Sequence, residues 1–297
     1  MELKLIDIDK SYGKNHVLKG ISFDVKSGKP LAFLGRNGAG KSTTIKILMG
    51  VISRDGGKIT LDDMDFSAKN FKIGYLPEER GMYQKVKILE QLVYFAELKG
   101  YNPHVARKSA LELLERVGLQ DYAKKKLEIL SKGNQQKVQI AQSLIGDPDI
   151  IIMDEPFSGL DPINSNLLRD LILERAIKNK IMFFSSHQMG YVDEICNDLA
   201  ILNGGQVVVN GSIDALKRKL AGNNVFLDLV DADNNLVKDD LIKKGFAASI
   251  KDEKIIVDLT EKNQDDLLNA VEELGLKIDS YGIFKPTLSD IFVEYAR

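Results

Sequence analysis

Gly35-Arg36-Asn37-Gly38-Ala39-Gly40-Lys41-Ser42-Thr43 fits the pattern G-x-x-x-x-G-K-[ST]. The apolar run Leu31-Ala32-Phe33-Leu34 precedes it, and Ile45, Leu48 and Met49 follow at helical spacing. Strand, glycine-rich turn and helix in that order turn the pattern into a phosphate-binding loop. Backbone N–H groups of the turn (Gly35, Asn37, Gly38, Ala39, Gly40) and of the helix start through Thr43 are expected to wrap phosphates. Lys41 would reach the β- and γ-phosphates of a nucleotide, and the Ser42 hydroxyl would ligate Mg²⁺.

A second constellation completes the chemistry. Asp149-Ile150-Ile151-Ile152-Met153-Asp154-Glu155-Pro156 ends four apolar residues in two carboxylates. That places Asp154 and Glu155 at the C-terminal end of a buried strand, where open α/β sheets bind ligands. Asp154 fits a metal-holding role beside Ser42. Glu155 is then positioned to polarise an attacking water as general base.

Composition bounds the rest. The 297 residues are 44% apolar and 28% charged, and 41 basic against 43 acidic residues leave a formal charge of −2. Such a chain is expected to hold one large domain plus something smaller, or two domains, and has no global attraction to nucleic acid. Lys124-Lys125-Lys126, the longest basic run, reads as a solvated helix end. Cys196 is the sole cysteine, so no internal disulfide forms, and a reducing compartment is expected. The N-terminus begins with strand-like alternation and lacks the basic and apolar regions of a signal peptide. Apolar runs such as Ile150 to Met153 fall far short of the roughly 20 residues that span a bilayer. Any work at a membrane is therefore expected from the cytoplasmic side, through a partner.

Along the chain, alternating segments up to about Val25 predict antiparallel strands. From Glu78 to Asp147 the period becomes helical, as in Ile88, Leu92, Phe95 and Leu98, which predicts an inserted helical subdomain at about 78–147. The unbroken runs Ile150–Met153 and Ile181–Phe184 predict strands of a parallel sheet covered on both faces. After a basic helix from Ile213 to Leu220, Ala221-Gly222-Asn223-Asn224 reads as a linker. Beyond it, strand–helix–strand–strand–helix–strand is the order of a ferredoxin-like split βαβ domain, here 222–297.

Leu130-Ser131-Lys132-Gly133-Asn134-Gln135-Gln136-Lys137 precedes a further helical run. Ser131 can cap that helix, and Gly133 permits close backbone approach to an anion. With this octapeptide the chain resembles ATP-binding-cassette (ABC) transporter ATPases, over roughly residues 1–221. Lys132 and Asn134 depart from the family's Leu-Ser-Gly-Gly-Gln pattern, whereas Ser131 and Gly133 are kept. The resemblance implies an α/β P-loop cassette with a parallel core sheet, an antiparallel β subdomain and a helical insertion. It implies Mg-dependent ATP hydrolysis, with Ser131 and Gly133 meeting the γ-phosphate. It places Tyr12 against adenine, although a strand aromatic covering core is the other reading of that residue. It makes Ser158-Gly159-Leu160-Asp161 the loop that contacts the opposite subunit and His187 the residue that bonds the γ-phosphate. Glu78 stands where the family often has a metal-binding glutamine, adding a negative charge beside the phosphate.

The tail, together with residues 74–80 and 185–189, resembles a bacterial and archaeal export-type subfamily. The implied partners are a separate transmembrane permease and a second ATPase subunit, a homodimer being expected, with no nucleic acid. The implied location is cytoplasmic, on the inner face of the cell membrane through the permease alone. The competing reading is a soluble ABC ATPase that does not serve transport. One cassette, a short span between Lys41 and Ser131, and no basic surface weigh against it.

Overall fold

The computed structural model describes every residue except Arg80, His187 and Arg297. It divides into two compact units, Met1–Ile213 with the segment from Phe292 onward, and Asp214–Ile291.

In the first unit, β1 (Glu2–Tyr12) and β2 (Asn15–Lys26) form an antiparallel hairpin. Its facing pairs Leu3–Val25, Leu5–Phe23 and Ile8–Ile21 are all buried, so the period-two pattern sets which face turns inward. Strand β3 (Leu31–Gly35) is buried at all five residues and leads through the glycine-rich turn into α1 (Lys41–Leu48). Strands β4 (Gly56–Leu61) and β5 (Met64–Asp65) extend the hairpin into a four-stranded sheet of order β2-β1-β4-β5.

After β6 (Ile73–Leu76) come the helices α2 (Ile88–Leu98), α3 (Pro103–Arg116) and α4 (Lys132–Leu144). Each buries an apolar stripe at helical spacing, for example Ala106, Ala110, Leu113 and Leu114 of α3. The lysine run 124–126 is exposed between α3 and α4 and ends at the start of a short 3-10 helix, Leu127–Ile129. The chain then alternates through β7 (Ile150–Asp154), α5 (Pro162–Ile177), β8 (Ile181–Ser185), α6 (Met189–Ile195), β9 (Asp198–Asn203) and β10 (Gln206–Ser212).

These strands build the central sheet, of order β10-β9-β3-β8-β7-β6. All neighbours in it are parallel except the β9–β10 pair. The parallel pairing is what the continuous apolar runs at 150–153 and 181–184 foretell, since both strands are buried at every residue. Phe23 of the antiparallel sheet meets Phe33 and Phe183 of the parallel one, with ring centroids 5.1 and 5.9 Å away. Ile45, Ile47 and Leu48 of α1 join that core, which fixes the helix that follows the phosphate loop.

Helix α7 (Ile213–Ala221) follows. The second unit then runs β11 (Asn224–Leu229), α8 (Asn234–Lys243), β12 (Ala247–Lys251), β13 (Lys254–Asp258), α9 (Gln264–Glu273) and β14 (Ile278–Ile283). Its sheet is antiparallel throughout, with order β12-β13-β11-β14, the split βαβ arrangement. Val225, Leu227, Ile255 and Val257 pack with Val237 and Leu241 of α8 and Leu267 and Val271 of α9. The stretch 221–224, which the sequence suggests is a linker, is reduced to a two-residue turn between helix and strand. Compactness also groups most of α7 with the second unit. Helix α10 (Leu288–Tyr295) ends the described chain.

Candidate nucleotide site

The phosphate loop has the backbone geometry its glycines allow. Gly38 and Gly40 sit at φ +80° and +114°, a region that strains any L side chain. At Gly35 a Cβ would lie 2.5 Å from the Leu202 carbonyl, and at Gly40 2.6 Å from Leu18 Cδ2. The loop is thus pressed against β9 and β2 and cannot open without moving the core. Helix α1 begins with no side-chain cap and no acidic residue in its first turn; α2 and α6 are also uncapped, whereas α3, α4, α5, α8 and α9 are capped by a side chain. An uncapped helix start leaves N–H groups and the positive end of the helix dipole for an anion.

Across from that helix start, β7 delivers the carboxylates. Asp154 is 6% exposed and accepts a hydrogen bond from the Ser185 hydroxyl at the end of β8. The Glu155 N–H donates to the Ser185 carbonyl and hydroxyl, each at 3.2 Å. Glu155 has φ +49°, a sparsely populated conformation for a non-glycine residue. In a regular strand, consecutive side chains point to opposite faces. The left-handed turn at Glu155 breaks that alternation, and both carboxylates line one cavity.

That cavity, about 320 Å³, is lined by Val17, Arg36, Asn37, Gly38, Gly40, Lys41, Ser42, Thr43, Glu78, Asp154 and Glu155. Lys41 Nζ donates to the Gly35 and Arg36 carbonyls at 2.5 and 3.3 Å. Burial pulls its ammonium below the ordinary lysine range, against the opposing pull of Glu155, Asp154 and Glu78. The Tyr75 phenol is pushed up by burial first, then by Asp154 and Glu78, so the carboxylate side of the cavity carries a negative field. A cationic helix start and lysine thus face a carboxylate group, an arrangement suited to a polyphosphate with a divalent cation.

The donor set fits Mg²⁺. The Ser42 hydroxyl and the Asp154 and Glu78 carboxylates are hard oxygen ligands lining one cavity. Among the described residues no group of three or more His, Cys, Asp or Glu forms a ready-made cage.

Other residues singled out by the sequence lie elsewhere. Gly35 and Ala39 shape the loop without lining the cavity. Tyr12 is 49% exposed at the tip of the β1–β2 hairpin, with Lys10 Nζ 5.5 Å from its ring centre, and does not line the cavity. Ser131 and Gly133, at the start of α4, are likewise outside it. The Ser131 hydroxyl accepts from the Asn134 N–H at 3.3 Å, and only Asn164 Nδ2, at 3.8 Å, would come near a Cβ at Gly133. Asp161 caps α5 through the Asn164 N–H at 2.9 Å. His187 lies outside the described residues. Sequence reasoning missed Val17 and Arg36. Arg36 occupies an unrestricted position of the loop pattern, and Val17 arrives from a strand whose pairing, not its composition, brings it here. A larger cleft of about 1080 Å³, bounded by residues 47–57 and 66–73, Leu98, Lys99 and Asp149, contains none of these groups.

Comparison with known proteins agrees with this geometry. Residues 18–158 match the ABC transporter family model, and 211–296 match the C-terminal domain of DrrA1-3-like ATP-binding proteins. The chain is 36% identical to the ABC transporter ATP-binding protein YhaQ of Bacillus subtilis (strain 168), over 98% of this chain and 97% of that one. It is 32% identical to the linearmycin resistance ATP-binding protein LnrL of the same organism, over 93% and 84% of the two chains. Among solved structures, an ATP-binding subunit of an ABC transporter superposes with a TM-score of 0.68 at 28% identity, over 74% of this chain and 93% of that one. Among the described residues no helix is long and apolar enough to cross a membrane. A phosphate loop facing two carboxylates across one cavity, with a relative matched almost from end to end, places the chain in the family of ABC transporter ATP-binding proteins.

Proposed function

We propose that this chain hydrolyses ATP at a seam between two copies of itself and so drives a separate membrane permease, as the motor of an exporter. What supports the shared seam most is the position of α4. Ser131 is exposed and Gly133 half-buried, and neither lines the cavity that gathers Lys41, Ser42, Asp154 and Glu155. A second anion-binding helix start that follows no strand, has no Lys-Ser pair and carries no acidic residue in its first turn is best used to finish another chain's site. The export direction draws on the likeness to a resistance ATP-binding protein and on the DrrA-like tail. The location that follows is the cytoplasmic face of the cell membrane, reached through the permease.

In this reading the loop N–H groups and Lys41 hold the β- and γ-phosphates. Mg²⁺, held by Ser42, Asp154 and Glu78, would neutralise phosphate charge. Glu155 takes a proton from the attacking water as its oxygen bonds the γ-phosphorus. The bond from that phosphorus to the bridging oxygen breaks, leaving ADP and phosphate. Ser131 and Gly133 of the second copy contact the γ-phosphate, as does His187, so ATP holds the pair closed and its hydrolysis releases it. Tyr12 would lie against the adenine, and Glu78 to Tyr83 would pass the motion to the permease.

Glu155→Gln tests both halves. Turnover should fall by about 10²–10⁴, ATP should still bind, and a dimer should accumulate on gel filtration with ATP and Mg²⁺. A variant that stays monomeric under those conditions contradicts the shared seam.

A further inference from the structure

The loop that carries Glu78 has little regular structure of its own, yet its backbone is held at both ends by buried amides. Gln139, 2% exposed on α4, donates from Nε2 to the Pro77 carbonyl at 3.3 Å and the Glu79 carbonyl at 3.2 Å. Those two carbonyls flank Glu78. Further along, Gln91 of α2, 1% exposed, accepts from the Tyr83 N–H at 3.1 Å and donates to the Tyr83 and Val86 carbonyls at 3.3 and 3.4 Å.

The Gln139 contact is aligned with a second one. Ser143 lies one helical turn further along the same face of α4. Its carbonyl would sit 2.1 Å from a Cβ at Gly74, so glycine is what lets β6 and α4 touch backbone to backbone. One face of α4 therefore follows the chain from Gly74 in β6 to Glu79 in the loop, first by close approach and then by the amide. The start of the same helix carries Ser131 and Gly133.

We infer that Gln139 is a positioning residue for ATP hydrolysis: it fixes the backbone on either side of Glu78 to the helix that serves the neighbouring site. It touches neither nucleotide nor metal and acts only through Glu78. A glutamine suits the task because one NH₂ group supplies two donors to two carbonyls, and a buried carbonyl that loses its donor is costly. The inference rests on the reading of Glu78 as a group that acts on the metal or γ-phosphate.

The test is a double-mutant cycle on the full chain, with Mg·ATP as the probe. Gln139→Met keeps length and apolar packing but removes both donors. It should lower kcat on the order of tenfold while the ATP dissociation constant stays within about twofold. In a Glu78→Ala background the same change should cost less than about twofold, because the group it places is gone. Gln139→Glu, which faces two carbonyls with an acceptor, should behave like Gln139→Met, and covers the case in which that variant does not fold. If Glu78→Ala is impaired and the Gln139 effect adds in full, Gln139 is merely structural and the inference fails alone. If Glu78→Ala turns over like the parent chain, the reading of Glu78 fails and takes the inference with it. Unchanged kcat in both folded Gln139 variants overturns the inference directly.

Discussion

Helices α1 and α4 both begin on a glycine-bearing, anion-friendly turn, and the difference between them is their company. The start of α1 has no cap and lies in one cavity with Lys41, Glu78, Asp154 and Glu155. The start of α4 is capped by its own Ser131 and lies outside that cavity. A helix dipole and spare N–H groups are common to both, so they do not by themselves make a catalytic site. The carboxylates are what separates the two starts, and a strand end bent at Glu155 supplies them to only one of the two helices.

Between the two helix starts, the largest expected effect comes from stripping α1 of its cation. Lys41→Ala should cut kcat/KM by about 10²–10³, as for loss of one preorganised group at a developing charge. Steady-state ATPase assays at saturating Mg²⁺ read this out. An effect confined to a few-fold would mean that the loop N–H groups suffice and that the two helix starts differ less than the cavity suggests.

Lysines sharpen the same contrast. Three carboxylates oppose the burial of Lys41, whereas Lys99, at the end of α2, has a buried Nζ with no hydrogen-bond partner among the described residues. Burial alone lowers its pKa to about 8. Below pH 8 the ammonium is charged in both folded and unfolded chains, and the full desolvation penalty weakens the fold. As pH rises from about 8 toward the ordinary 10.5, the folded chain sheds that proton first and stability increases. Lys99→Met should therefore stabilise the protein at pH 7 by up to about 3 kcal/mol, a gain that vanishes toward pH 10.5. Denaturant melts across that range check it, and a destabilised variant at pH 7 would show that the amine has a partner in solution.

The smallest effect belongs to α4. Ser131→Ala removes a cap worth about 1 kcal/mol of stability. Under the shared-seam reading it should also lower kcat while leaving monomer ATP binding intact. A loss of stability with unchanged turnover would reduce α4 to an ordinary capped helix.

Much of this was legible in the sequence, for identifiable reasons. The phosphate loop reads directly because glycine spacing encodes backbone conformation, and Gly38 and Gly40 adopt the left-handed angles that spacing implies. Ile150–Met153 reads as a covered parallel strand because burial on both faces leaves no polar alternation. The order of the second unit reads from the switch between periods of two and 3.6. What stayed hidden depends on contacts between distant segments. Val17 joins the cavity through strand pairing, and Glu155 shares a face with Asp154 only because of a backbone angle that composition does not announce. Gln139 looks like a polar helix residue bound for solvent, and only the folded chain turns it inward onto residues 77–79.

The central claim is that Lys41 and Glu155 of one chain act with Ser131 and Gly133 of another. Subunit complementation tests it most directly. One variant carries Lys41→Ala with Glu155→Gln, the other Ser131→Arg, and neither should hydrolyse ATP alone. When the two are mixed, a head-to-tail pair rebuilds one intact site in each mixed dimer. Activity should therefore recover to about a quarter of the parent level on random pairing. A mixture of demonstrably mixed dimers that stays as inactive as its parts would contradict the account.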